Sequence, residues 1–281
     1  VTAPAQVQDP AALARDAARR PRRLGALYVA EYRLRSAKAY GWTIVVSSIG
    51  VPLLYLLGLG RGLQTFVGDL GTGPDGAPVD YLVFVAPALL VTAAVSIATE
   101  EFTYTVMEGF KWRRTFWAVN ATPVQPAQIT AGLALAVGAR MLVTSVAYYL
   151  IIVAFGAVGD PLGAALLPLI GLLAGMAFGL PLLAYAASLT EDKGQFAVVR
   201  RFVFTPMFLF SGTFYPLDTL PGWLHWIGWI SPVWHGTELG RAASYGAPIG
   251  AGMAAVHVVF LVALAAGGWW AARRRFERRL R

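Results

Sequence analysis

The chain has 281 residues, 57% of them hydrophobic and 14% charged, and its mean hydropathy is +0.59, so it carries more apolar surface than a water-soluble fold can hide. Its formal charge of +8 sits mainly in two blocks flanking the apolar part, Arg15 to Arg35 and Arg273 to Arg281, which suits anionic lipid headgroups rather than nucleic acid. The absence of cysteine excludes disulfides, thiolate metal sites and cysteine nucleophiles.

Residues 1–20, rich in Ala and Pro, read as an unordered tail. From Pro21, the residues Leu24, Leu27, Tyr28, Glu31 and Tyr32 fall at helical spacing and predict an amphipathic helix over 21–39 on a membrane surface. The next apolar run lacks a small-residue cleavage site, so it reads as a retained span rather than a signal peptide. Runs of about 20 apolar residues give six candidate spans, roughly 42–60, 80–99, 131–155, 162–189, 196–214 and 250–272. The expected fold is all-α and polytopic, with a single membrane domain over 21–281.

Basic clusters set the orientation. The N-terminal segment, the second connection (Lys111, Arg113, Arg114), the fourth (Lys193, Arg200, Arg201) and the tail all fall on one side if there are six spans. That places both termini in the cytoplasm. In the fourth span Gly171, Gly175 and Gly179 repeat at i+4, which offers a smooth helix-packing face or reflects general glycine usage. Arg140, the one formal charge well inside a span, either snorkels to the cytoplasmic surface or meets a substrate.

Three segments are neither spans nor plain loops. Between spans two and three, aromatic and charged residues interleave up to the helix stop Thr122-Pro123-Val124-Gln125-Pro126. This reads as a short cytoplasmic helix, either docking Phe110, Phe116 and Trp117 into a soluble partner with Lys111, Arg113 and Arg114 orienting it, or lying on lipid. The segment 216–240 is too apolar for an exposed loop and too broken by Pro and Gly to cross a bilayer, so a pair of short re-entrant helices is expected there. Its His225 and His235 read as a metal or proton site or as structural residues. The N-terminal amphipathic stretch is the third.

These segments resemble the type 2 ABC exporter permeases, in the branch containing nodulation-factor, drug and polysaccharide export permeases. The resemblance rests on Pro52 to Gly60, on Arg114-Thr115-Phe116, and on Thr205 to Gly212 leading to Phe214-Tyr215-Pro216, Leu220-Pro221 and Ser231-Pro232. It implies a non-catalytic half-transporter in the bacterial inner membrane. Such a half-transporter pairs with a second permease, identical or homologous, and with a separate nucleotide-binding ATPase that holds ATP and Mg; no cofactor is expected in this chain. The helix around Met107, Glu108, Phe110, Lys111, Arg113, Arg114, Phe116 and Trp117 would be the coupling helix on that ATPase. Consistently, no Gly-x-x-x-x-Gly-Lys-Ser/Thr occurs in the sequence.

Under the export reading Tyr55, Phe204, Phe208, Phe214 and Tyr215 are candidates to line an apolar substrate path, with ordinary helix packing as the alternative. A membrane enzyme acting on lipid or glycan would need Glu100, Glu101, Glu108 or Asp218 as acid or base, but Glu108 and Asp218 fall on opposite faces. A proton-coupled secondary carrier would need ionisable residues at midplane, which the spans scarcely supply.

Overall fold

The computed structural model describes residues 10–42, 46, 50, 53–62 and 68–281. Among these, helix dominates, and the sole β feature is an isolated antiparallel bridge between Leu70 and Val79. The α-helices that matter are α1 (Pro10–Ala37), α2 (Tyr81–Glu101), α3 (Tyr104–Met107), α4 (Thr115–Asn120), α5 (Pro126–Ala154), α6 (Pro161–Ala164), α7 (Leu167–Ser188), α8 (Gln195–Val199), α9 (Thr205–Phe210), α10 (His225–Trp229), α11 (Pro232–Tyr245) and α12 (Ala251–Arg279).

Four helical stretches among the described residues are long and apolar enough to cross a membrane: Tyr81–Trp112, Pro126–Ala154, Pro161–Ser188 and Ala251–Arg279. They match the second, third, fourth and sixth expected spans. The first, 42–60, is described only at 42, 46, 50 and 53–60; its described end, 53–62, is helical and contains a π-helical segment, Leu56–Arg61. The fifth differs from expectation. Its helix runs only from Gln195 to Phe210, and Arg200 and Arg201 open a π-helical segment within it (Arg200–Phe204) instead of belonging to the preceding connection.

The N-terminal helix also differs. It begins at Pro10, so residues 10–20 are helical and Pro21 lies inside α1 rather than in its first turn. Ala11, Ala12, Ala14, Ala17 and Ala18 supply the strongest intrinsic helix propensity, which offsets the one backbone hydrogen bond that Pro21 removes. The buried face of α1 packs along the first half of α5: a Cβ on Gly132 would meet Val29 Cβ at 2.5 Å and the Ala26 carbonyl at 2.7 Å. Leu24, Leu27, Tyr28, Tyr32 and Leu34 are left exposed on the other face.

At the centre stands α2, 83% buried across its apolar window, whereas α12 is only 17% buried and forms the periphery. With almost no polar residues to direct it, α2 is placed by small-residue contacts. The repeated glycines of α7 do face it: a Cβ on Gly171 would lie 2.8 Å from Leu90, on Gly175 3.1 Å from the Ala94 carbonyl, and on Gly179 2.7 Å from the Phe102 ring. The packing reading of that repeat therefore holds. Thr92, Thr99 and Thr103 satisfy their buried hydroxyls by donating to carbonyls one turn back, at 2.8–3.0 Å.

Helix starts are chemically marked. Asp80, Asp160 and Ser231 accept from the backbone N–H two residues on, and Pro161 and Pro232 take first-turn positions where no donor is needed. The predicted stop at 122–126 is where α4 ends and α5 begins, with Gln125 and Gln128 forming a capping box. In the segment expected as a helical pair over 216–240, two 3-10 turns (Leu217–Thr219, Gly222–Leu224) lead into α10 and α11. α11 wedges between α2 and α7 on Gly236, whose Cβ would lie 2.8 Å from Ala174 and 2.9 Å from Val91.

Candidate functional site

At the end of the bundle rich in Arg and Lys, α2 continues through α3 into a π-helical segment, Glu108–Trp112, and then reverses direction at Arg114. Arg114 has φ 54°, the left-handed region, the one such non-glycine among the described residues. The reversal folds α4 back so that Phe116 lies edge-on to Phe110 (4.9 Å between centroids), and both rings pack on Phe276 of α12, at 5.4 and 4.9 Å. Gly109 makes room: any Cβ there would lie 2.2 Å from the Phe116 ring.

The element is stitched down on all sides. Trp117 Nε1 donates to the Phe110 carbonyl (3.1 Å), Asn120 Nδ2 to Leu280 O (2.8 Å), and Lys111 pairs with Glu191 beyond α7 (3.1 Å). Arg279 lies over the Phe110 ring at 4.0 Å and donates to the last carbonyls of α7, Ala187 O at 2.9 Å and Leu189 O at 2.6 Å.

This divides the eight residues expected to couple to a partner. Met107, Phe110 and Phe116 are buried inside the chain and hold the element in place; they do not form an outward surface. Glu108 is half-buried and pairs with Arg113 at 2.8 Å. Lys111, Arg113, Arg114 and Trp117 face outward, joined by exposed Trp112. The expectation that Phe110 and Phe116 fill a partner's groove is thus corrected: their socket is Phe276, in this chain's own C-terminal helix.

The candidate path residues come together in large part. Tyr55 stands edge-on to Phe208 (6.3 Å), Phe208 is stacked with Phe204 (6.4 Å, 3° between planes), and Phe214 meets Phe208 edge-on at 4.9 Å. Tyr215 follows Phe214 but turns its hydroxyl to the Leu209 carbonyl, 2.8 Å away. Two π-helical segments adjoin this ladder, Leu56–Arg61 just after Tyr55 and Arg200–Phe204 ending on Phe204. Such wide turns displace side chains from regular register and recur at functional sites.

Three buried polar groupings escape a linear reading. In the first, Arg241 of α11 is 3% exposed. It donates to Gly212 O (2.6 Å) and Phe84 O (3.3 Å), pairs with Glu238 (3.0 Å) and lies over the Phe84 ring at 3.6 Å. It therefore joins α11, α2 and the turn before Phe214. In the second, Glu101 pairs with both Arg140 and Arg33, the latter at 3.2 Å. Arg140 thus pairs with the carboxylate that ends α2, beside the folded-back basic element. Nothing in the linear sequence pairs Glu101 with these two arginines.

The third is a histidine pair. His225 is structural, its Nε2 2.9 Å from Leu220 O, but His235 and His257 are buried with their Nδ1 atoms 2.7 Å apart. Because Trp229 O, 3.0 Å from His235 Nε2, can only accept, His235 carries its proton on Nε2 and accepts from His257 Nδ1–H.

Four helices long and apolar enough to cross a bilayer, with a folded-back basic element at one end, define a multi-pass membrane protein. The carboxylates that an enzyme reading would use are dispersed, with Glu101 and Glu108 engaged in ion pairs. The chain belongs to the ABC-2 type transporter family, whose model matches residues 23–245. It is similar to Nodulation protein J of Rhizobium meliloti (strain 1021), 29% identical over 213 residues, covering 73% of this chain and 75% of the relative. Nodulation protein J of Rhizobium leguminosarum bv. viciae is also 29% identical, over 211 residues (73% and 76%), and that of Sinorhizobium fredii (strain NBRC 101917 / NGR234) is 27% identical over 236 (84% and 86%). This chain is the transmembrane component of an ABC-2 type transporter.

Proposed function

We propose that this permease moves an amphipathic substrate, such as a lipid, glycoconjugate or drug, out of the cytoplasm, powered by a separate ATPase that binds ATP and Mg. The observation carrying this reading is the folded-back element 104–120. It is held rigidly from within by Phe110, Phe116 and Phe276 while Lys111, Trp112, Arg113, Arg114 and Trp117 are presented outward. A rigid basic and aromatic knob is what a soluble motor subunit can push against.

In this reading the chain spans the membrane six times with both termini cytoplasmic, and two permeases, identical or homologous, associate. Spans one and five are the expected 42–60, of which 53–62 is the described end, and 196–214, which contains most of the Gln195–Phe210 helix; α1 lies along the inner leaflet, and α10 with the start of α11 enters the outer leaflet. Substrate passes along Tyr55, Phe204, Phe208, Phe214 and Tyr215, whose contiguous rings offer an apolar, polarisable surface without fixed charge.

The test is co-expression with the genomic neighbours and purification in nanodiscs. A nucleotide-binding subunit is expected to co-purify, and reversing Arg113 and Arg114 together to Glu should abolish its retention while leaving the permease folded, since both side chains are exposed. Undiminished retention would reject the docking surface; the lack of any co-purifying ATPase would reject the exporter.

A further inference from the structure

The joint at Glu101 has a mechanical consequence. Glu101 is the last residue of α2, immediately before the folded-back element, and its two carboxylate oxygens are divided between two helices: Oε1 takes Arg140 of α5 and Oε2 takes Arg33 of α1. All three side chains are largely sheltered, 19–24% exposed, so solvent screens them less than a surface pair. α1 lies along α5 rather than along α2. The α1–α5 contact is further fixed by Gln128, whose Nε2 donates to Arg22 O at 2.8 Å while its Oε1 accepts from Gln125 N–H at 2.9 Å. Apolar packing thus joins α1 to α5 and α5 to α2 and the folded-back element, and the Glu101 carboxylate adds an ion pair that ties α1 directly to the base of that element.

We propose that Glu101 is a positioning residue that locks α1, α5 and the folded-back element into one rigid lever, so that displacement of the element by the ATPase carries the surface helix with it. The inference rests on the exporter reading for its motive force, but the lever itself is a property of this chain. A neutral substitute would keep the shape of residue 101 and lose the charge that holds two guanidinium groups at once.

Because the protein has no cysteine, labels can be placed without background changes. Spin-label pairs at Leu27→Cys with Ala118→Cys (α1 to α4) and at Leu135→Cys with Ala118→Cys (α5 to α4) report the lever in nanodiscs without nucleotide; all three positions are exposed. The parent should give one narrow distance distribution for each pair. Arg33→Leu, which removes one arm, should at least double (about twofold or more, given the freedom of an untethered surface helix) the width for the α1 pair and leave the α5 pair unchanged. Glu101→Gln should broaden the α1 pair to the same extent while the α5 pair, held by the packing of α5 on α2, stays narrow, and Arg33→Lys should restore the α1 pair.

In the complex with its ATPase, Arg33→Leu should lower kcat for ATP about tenfold, within the span of coupling-path substitutions, at unchanged KM. A merely destabilised protein would instead yield less complex with unaltered constants. Unbroadened distances in both variants overturn the lever, and so do broadened distances with unaltered turnover. Failure of the exporter reading shows separately, as no ATPase in the preparation while the distances still respond. Should Glu101→Gln not insert, the Arg33 variants alone decide.

Discussion

Replacing Phe276 by Ala should cost about 3–5 kcal/mol, the range for removing a buried phenylalanine ring, and should release the folded-back element while leaving the bundle standing. The ring is fully buried between Phe110 and Phe116, so its loss removes the floor of the aromatic cluster and part of the aromatic pairing that fixes α4. Phe276→Leu refills most of the volume and should cost about 1 kcal/mol. Amide exchange separates the local from the global effect: residues 104–120 should exchange faster in the Ala variant, whereas α7, packed on α2 by its glycines, should retain its protection. If 104–120 exchange at the parent rate, the trio does not hold the element. Under the export reading the same variant should keep its permease fold and lose ATPase retention.

Arg241→Met should be the second large effect, about 3 kcal/mol, because it strands the buried Gly212 carbonyl, takes a second donor from Phe84 O and leaves Glu238 without its partner. Glu238, 28% exposed, recovers part of its hydration, so the penalty stays below that of a wholly buried orphan charge. Arg241→Lys separates charge from geometry: an ammonium on the same stem cannot donate to both carbonyls and cap the Phe84 ring together, so most of the loss should persist. The functional signature is local. Gly212 sits at φ +73° in the turn that delivers Phe214 to the aromatic ladder, so freeing its carbonyl should disorder Phe214 and Tyr215. Quenching of a probe at residue 214 by a lipid-phase quencher would report this, and an unchanged quenching profile in Arg241→Met would show that another contact sets the turn.

Apolar run length was legible because membrane thickness imposes it: four of the expected spans reappear as helices, two of which continue past the apolar run, to Trp112 and to Arg279. Chemistry that acts over three or four residues was also legible, as at the 122–126 stop and in the i+4 glycines of α7. The start of α1 was misjudged because Pro21 resembles a first-turn proline, while the alanine-rich stretch before it extends the helix. The interruption at Arg200 was hidden because a π-helical segment has the same composition as the α-helix it replaces.

The candidate site divides along the same line. By itself the sequence determined that this is a helical membrane protein, where four of its apolar helices run and where the helix stop at 122–126 falls, since hydrophobic length and proline act locally. Only the tertiary structure decided that Phe110 and Phe116 turn inward to Phe276, that His235 meets His257, that Arg241 pins the turn at Gly212, and that Glu101 joins Arg33 to Arg140. Each of those contacts joins elements far apart in the chain, and their pairing depends on helix rotation and depth. Those are set by how small residues let helices approach, a property of the assembled bundle that no single segment carries.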